Sequence, residues 1–224
     1  MSTGNLFKTY IKVKSFNFKE QVYVIRKFYK NFKFCFIDLS LLFVYLFINP
    51  YRTSKKFLKK KNNPNIHLYG EMPLSTFEKV VKECGISSDH TFLELGAGRG
   101  RCSFWLSKHV GCKIHAIEWI PSFHRVAIFI SWLFRLKNIR FFCENMFNVD
   151  FQNPDIIFLY GTCLEDREIY ALIDKFKKIN HSLKIITISY SLHDYDNAFN
   201  VIKEFPITLP WGKTTCFINC KKNI

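Results

Sequence analysis

The residues of this chain best suited to chemistry gather in one short stretch, Phe92-Leu93-Glu94-Leu95-Gly96-Ala97-Gly98-Arg99-Gly100-Arg101. A strand-like run passes straight into three alternating glycines and then into a helical pattern. Glycine is needed there because the backbone turns sharply and a ligand must approach it with no Cβ in the way. Glu94 stands two residues before the first glycine, where a carboxylate is expected to face the ligand rather than the sheet. Glu118 ends the next strand, eighteen residues after Gly100, at the sheet edge where a ribose diol is held. Arg101 takes the place where a dinucleotide fingerprint wants Gly or Ala for tight helix packing. A carboxylate in the cradle and an arginine at that place argue against a nicotinamide or flavin dinucleotide. They fit a ligand with a cationic amino-acid end and an adenosine end.

The elements that must position these groups follow from periodicity. Pro73 opens a helix whose Phe77, Val80, Val81 and Cys84 fall on one face, and Gly85 closes it. Strands are expected at Thr91 to Leu95, Lys113 to Glu118, Arg140 to Cys143, Asp155 to Tyr160 and Lys184 to Tyr190. Between them lie a helix through Trp105 and Lys108, a long one from Pro121 to Leu136, and one from Glu165 to Lys178. Asn200 to Phe205 and Thr214 to Cys220 form a closing antiparallel pair. Strands alternating with helices predict an α/β fold, a doubly wound sheet with an antiparallel last strand.

Composition changes near residue 62, which divides the chain into a basic, hydrophobic arm (1–62) and a compact domain (63–224). Lys59-Lys60-Lys61-Asn62-Asn63-Pro64-Asn65 reads as the linker. In the arm, Phe18, Val22, Ile25, Tyr29 and Phe32 recur at helical spacing among lysines and arginines, the pattern of a basic amphipathic helix. Phe34 to Ile48 is almost wholly apolar. Fifteen residues of helix reach only ~22 Å against a hydrocarbon core of ~30 Å, and Asp38 within the run makes spanning costlier. Basic residues flank both sides, so charge gives no orientation. Packing on the domain, attachment in a membrane interface and spanning are the three arrangements open to this run, and attachment is the expectation.

The 224 residues carry 48% hydrophobic side chains, enough for one buried core. Against 18 acidic residues stand 33 lysines and arginines, a formal charge of +15 that favours an anionic membrane surface or nucleic acid. The eight cysteines include no Cys-x-x-Cys pair and sit mostly in apolar runs, which reads as reduced thiols without structural zinc. No cleavable signal peptide is recognisable, so a cytoplasmic location, membrane-associated through the arm, is expected.

With these residues in place, the chain resembles the class I S-adenosylmethionine-dependent methyltransferases. Their acidic residue followed by Gly-x-Gly-x-Gly is similar to Glu94 through Gly96, Gly98 and Gly100, and their acidic residue ending the second strand is similar to Glu118, with Trp119 beside it. At the third strand Glu144-Asn145-Met146 stands where the family offers an acid to adenine, so Asn145 and Met146 are expected to border the base. Upstream, Leu68-Tyr69-Gly70-Glu71-Met72-Pro73-Leu74-Ser75-Thr76 looks like the loop that covers the cofactor in Dot1-like lysine methyltransferases. The resemblance assigns Glu71 to the cofactor's ammonium and adds Tyr69 and Thr76 to the binding set. The hydrophobic segment before the domain is also similar to membrane-anchored lysine methyltransferases acting on an ATP synthase subunit, as are Ile156 to Gly161 and the late Pro210-Trp211-Gly212 turn.

The resemblance implies S-adenosyl-L-methionine as cofactor, no metal, and methyl transfer to a protein, lysine being the expected acceptor. Tyr160, Tyr190 and Trp211 are the catalytic candidates, an aromatic channel around the incoming side chain, with Tyr160 also at the cofactor. Where Dot1-like enzymes are rich in Asn after the fourth strand, this chain has Tyr160-Gly161-Thr162-Cys163, which separates it from their histone substrate. The Asn/Asp-Pro-Pro-Tyr/Phe signature of amino-methylating nucleic-acid enzymes is absent there. An RNA or small-molecule methyltransferase and an idle cofactor-binding adaptor are the rival readings, and a monomer is expected.

Overall fold

The computed structural model describes residues 3–66, 69–179 and 181–222; Leu68 of the upstream loop lies outside them. Three helices come first, α1 (Thr3–Lys27), α2 (Phe32–Phe47) and α3 (Pro50–Lys60), followed by α4 (Leu74–Glu83). The alternating part is β1 (Thr91–Leu95), α5 (Arg101–His109), β2 (Lys113–Ile117), α6 (Pro121–Leu133), β3 (Ile139–Phe142), β4 (Ile156–Leu159), α7 (Asp166–Lys177) and β5 (Lys184–Ile188). A long hairpin of β6 (Phe199–Leu209) and β7 (Gly212–Lys221) closes the chain.

The seven strands lie in the order β3-β2-β1-β4-β5-β7-β6, and β7 runs against both of its neighbours. The parallel strands are short apolar runs because both sheet faces are covered. On one face Phe92, Ile114, Ala116 and Phe158 pack beneath α4, α5 and α6. On the other, Leu93, Leu95, Ile157 and Ile185 meet α7 through Ile169, Leu172 and Phe176. The order reverses between β1 and β4, so the crevice at their carboxyl ends is where such a sheet binds ligands.

The arm is built into the first of these cores. Phe28 meets Trp105 edge-on with ring centroids 5.3 Å apart, and Phe34 meets His109 at 5.0 Å. Ile37 and Leu41 are fully buried in the same cluster. Asp38, wholly buried, accepts two hydrogen bonds from the Arg101 guanidinium at 2.7 and 2.8 Å and one from the Tyr29 hydroxyl at 2.9 Å. The polar residue in the apolar run is therefore the partner of an arginine in α5.

The amphipathic helix expected from Phe18 to Phe32 is broken. Residues 28–31 form a turn, and Asn31 caps α2 by accepting the Phe34 N–H, so Tyr29 and Phe32 do not continue the face of α1. Val24 and Phe28 are buried instead, while Phe18, Ile25 and Phe32 are exposed. The reason is the fit of Phe28 between Trp105 and His109, which periodicity within the arm does not reveal.

Candidate active site

The glycine turn is shaped by its own amides. Gly96 and Ala97 both donate to the Ile117 carbonyl at 2.9 Å, pinning the end of β1 to the end of β2. Gly96, Gly98 and Gly100 have φ of 79°, 57° and 77°, the left-handed region that glycine enters without strain. A Cβ on Gly98 would lie 3.3 Å from the Tyr69 ring, so the bare backbone leaves room beneath the upstream loop. Gly100 is bare for another reason: a Cβ there would lie 2.9 Å from Phe141. Its role is helix packing.

Glu118 closes the turn from the β2 side. Its carboxylate accepts the Gly98 N–H at 2.6 Å and the Ile120 N–H at 2.7 Å. Burial raises its pKa to about 7, against the opposing pull of those backbone donors. Glu94 is as deeply buried, and burial raises its pKa to about 8, partly offset by the Ser103 hydroxyl that donates to it. The negative charge of Glu118 adds to that rise, so the two carboxyls sit close enough to feel one another.

The cleft beside the turn encloses about 940 Å³ of empty space, its open mouth included. Tyr69, Gly96, Gly98, Glu118, Trp119, Asn145, Met146 and Tyr160 all line it. Met146 lies over Gly96, and the Asn145 Oδ1 accepts the Phe147 N–H at 3.1 Å, which fixes the bend of that loop. At the mouth, Gly70 faces the Tyr160 ring, and the Trp211 side chain lies near the Tyr160 hydroxyl. Burial pushes the Tyr160 phenol up to about 12, so it stays neutral at physiological pH.

Other expected residues stand elsewhere. Glu94 is beneath the turn, bonded to Ser103 of α5, because β1 alternation points it to the α5 side of the sheet. Glu71 pairs through both carboxylate oxygens with Arg99 and also accepts the Tyr69 hydroxyl. Thr76 is a correction: its hydroxyl donates to the Thr208 carbonyl at 2.6 Å, joining α4 to β6 away from the cleft. Tyr190 is another, since it packs against Tyr195 on the α7 side of the sheet and not at the channel mouth. Trp211, at the hairpin tip, is exposed and is not part of the cleft lining.

Sequence reading missed one wall entirely. Ser54, Leu58 and Asn63 line the cleft, and Phe57 packs edge-on against Trp119 at 5.1 Å. Asn49 accepts the Arg52 N–H and Pro50 follows it, a helix start that was readable in the sequence. Ser54 and Leu58, four apart, form the buried face of α3, a signal hidden by the lysines around them. Residues grouped with the arm by composition thus wall the site.

These features suit S-adenosylmethionine. The bare turn admits a chain of atoms near Gly96 and Gly98, Glu118 offers a carboxylate for hydroxyls, and Trp119, Met146 and Leu164 offer apolar surface for a base. Comparison with known proteins agrees. Residues 51–160 match the family described as "Histone methylation protein DOT1". Histone-lysine N-methyltransferases specific for H3 lysine-79 match at 35% identity over 66 residues in Candida glabrata and 30% over 82 residues in Kluyveromyces lactis. Those matches take in 30% and 34% of this chain but only 10% and 14% of the relatives' own length.

Among solved structures, an RNA methyltransferase from Salinibacter ruber in complex with S-adenosyl-L-homocysteine superposes with a TM-score of 0.57 at 14% identity, covering 69% of this chain and 96% of that one. The tRNA (m1A58) methyltransferase TrmI from Aquifex aeolicus gives 0.55 at 14% identity, over 69% and 72%. At such identities these two speak for the fold alone. With the strand order, the turn and the matched stretch together, the chain has the fold of the class I S-adenosylmethionine-dependent methyltransferases and is similar, over residues 51–160, to the Dot1 family.

Proposed function

We propose that the chain methylates a protein, with a lysine amine as acceptor. The observation that carries this reading is the shape of the mouth. Gly70 of the upstream loop and Tyr160 face one another across it, Trp211 stands near Tyr160, and Tyr51 of α3 packs edge-on against Tyr69 at 5.2 Å. Aromatic walls suit the stem and cationic head of an alkylammonium. The match to lysine-methylating relatives points the same way.

S-adenosylmethionine, when bound, supplies an electrophilic methyl group. The protein's own part is to orient and to exclude water. Glu118 would hold the ribose hydroxyls, and the backbone at Gly96 and Gly98 would lie along the amino-acid end. Trp119 and Met146 would cover the base, while Asn145 would meet its polar edge. Arg99 would receive the carboxylate of the amino-acid end and Glu71 its ammonium, the two staying paired beside it. Tyr160, neutral and narrow-walled with Gly70, would align an uncharged amine with the methyl group.

The formal charge of +15 favours a second reading, methylation of RNA. Tritiated-methyl labelling of host lysate separates the two. Label destroyed by protease and spared by nuclease supports the protein reading, and lysine as the labelled residue in a hydrolysate supports the acceptor. Label lost to nuclease overturns it in favour of RNA. Cofactor binding with no labelled product from any fraction would mean an idle adaptor.

A further inference from the structure

The geometry points to a surface, formed by the outer faces of α2 and α6, that docks on an anionic lipid bilayer without crossing it. α2 buries one face and presents the other along its whole length. Phe32, Phe36, Leu39, Phe43, Leu46 and Phe47 are exposed by 76, 60, 47, 62, 78 and 76%. Their spacing is that of one helical stripe. α6 does the same: Ile128, Phe129, Trp132 and Leu133 are exposed by 45, 53, 71 and 49%. The two helices pack together, with Tyr45 edge-on to Phe123 at 5.9 Å. Ten large apolar side chains on adjoining helices exceed the roughly 300–600 Å² that is the largest apolar patch of an ordinary soluble monomer.

The charges choose the occupant. Lys55, Lys56, Lys59 and Lys60 are exposed on α3, directly after α2, and none is in an ion pair among the described residues. Arg125 is exposed within α6 and Arg135 and Lys137 just past its end, so cations border the apolar stripes. Aromatic and aliphatic side chains entering the acyl boundary, ringed by cations at headgroup level, match an anionic bilayer. A second copy of this chain seated on the same face would bring like charges together.

The fold also decides between lying on the bilayer and crossing it. No single helix among the described residues is long and apolar enough to cross; α2 and α3 together would be by length and composition, but they meet at a bend of 64°. The inner face of α2 is committed to the protein through Asp38 with Arg101 and Phe34 with His109. Crossing would strip that buried pair. Because α3 both carries the lysines and walls the cleft through Ser54 and Leu58, docking would hold the mouth of the site close to the bilayer.

This inference does not depend on the acceptor, and its test is separate from activity. The full chain is sedimented with vesicles of phosphatidylcholine alone or with about 30% phosphatidylglycerol, and S-adenosylmethionine binding is measured on the same preparations. Expected are binding to the anionic vesicles at least tenfold tighter than to neutral ones, weakening with salt, and release by alkaline carbonate. F43S/F47S on α2 and F129S/W132S on α6 should each weaken vesicle binding at least tenfold while leaving cofactor affinity unchanged. No binding to anionic vesicles, equal binding to neutral ones, or undiminished binding by the α6 variant overturns the proposal. Retention after carbonate would mean a span, and a dimer abolished by the same substitutions would mean that the face is a protein interface; either result overturns it too.

Discussion

Arg99 and Arg101 stand one residue to either side of Gly100, and each is answered by a carboxylate from a different part of the chain. Arg101 pairs with Asp38 of α2, deep in the core, where the carboxylate has no exposure at all. Arg99 pairs with Glu71 of the upstream loop, each next to a glycine of the cleft lining, where the Glu71 side chain keeps 27% exposure and that of Arg99 11%. The same ion pair in two settings does two jobs. Behind the turn it fastens the arm to the start of α5; in front of it, under the proposed function, it would arrange charges for the ligand's amino-acid end. A buried pair is worth little over an apolar substitute but is costly to break one-sidedly. A rim pair costs less to break, and its loss falls on binding.

That contrast orders the expected outcomes. Asp38→Ala leaves the Arg101 guanidinium buried and alone, and should lower unfolding free energy by ~3–5 kcal/mol in denaturant melts. Replacing both partners, Asp38→Leu with Arg101→Met, should recover most of that loss. Gly100→Ala puts a methyl against Phe141 at a φ of 77°, and should cost ~1–3 kcal/mol in the same melts. Glu71→Gln should weaken S-adenosylmethionine binding on the order of tenfold in calorimetry, with a smaller loss in the melts than Asp38→Ala. If Glu71→Gln destabilises the fold as much as Asp38→Ala, the two pairs are not different in kind.

The smallest effect is that of pH. Burial raises the Glu118 pKa to about 7, and its ionised form is the better acceptor of ribose hydroxyls. Cofactor affinity should therefore rise several-fold between about pH 6 and 8, and Glu118→Gln should flatten the profile. Stability runs the other way. With Glu118 and Glu94 raised to about 7 and 8, the stability they contribute is complete below the ordinary carboxylate range and is lost as pH rises through those values. Melts of the free protein should show that decline.

What could be read from the sequence divides by how local its cause is. The glycine turn, the helix opened by Pro121 and the strand leading to Glu118 follow from backbone rules and neighbours, and all three are present, the strand ending at Ile117 and the helix at Leu133. Thr76 was placed by the resemblance and Tyr190 by its position at the sheet's carboxyl edge, but the Thr208 carbonyl, 132 residues on, holds the first, and Tyr195, a few residues on, packs against the second. The run at 34–48 is apolar on every side, so no periodicity could say which face meets α5 and α6 and which stays outside. Asp38 was the clue. A lone carboxylate there reads as an obstacle to spanning, whereas its partner Arg101 lies 63 residues away. Ser54 and Leu58 were overlooked because five lysines within α3 and at its end made the segment look like a charged flank.

The central claim is that the cleft beside the glycine turn holds S-adenosylmethionine with Glu118 at its ribose. Isothermal titration of the folded full chain at about pH 8 tests it most directly. The account predicts a saturable one-site heat, weakened at least thirtyfold in Glu118→Ala, on the order of what a charged hydrogen-bond acceptor contributes. No saturable heat from the folded wild type, or equal affinity in Glu118→Ala, would contradict it.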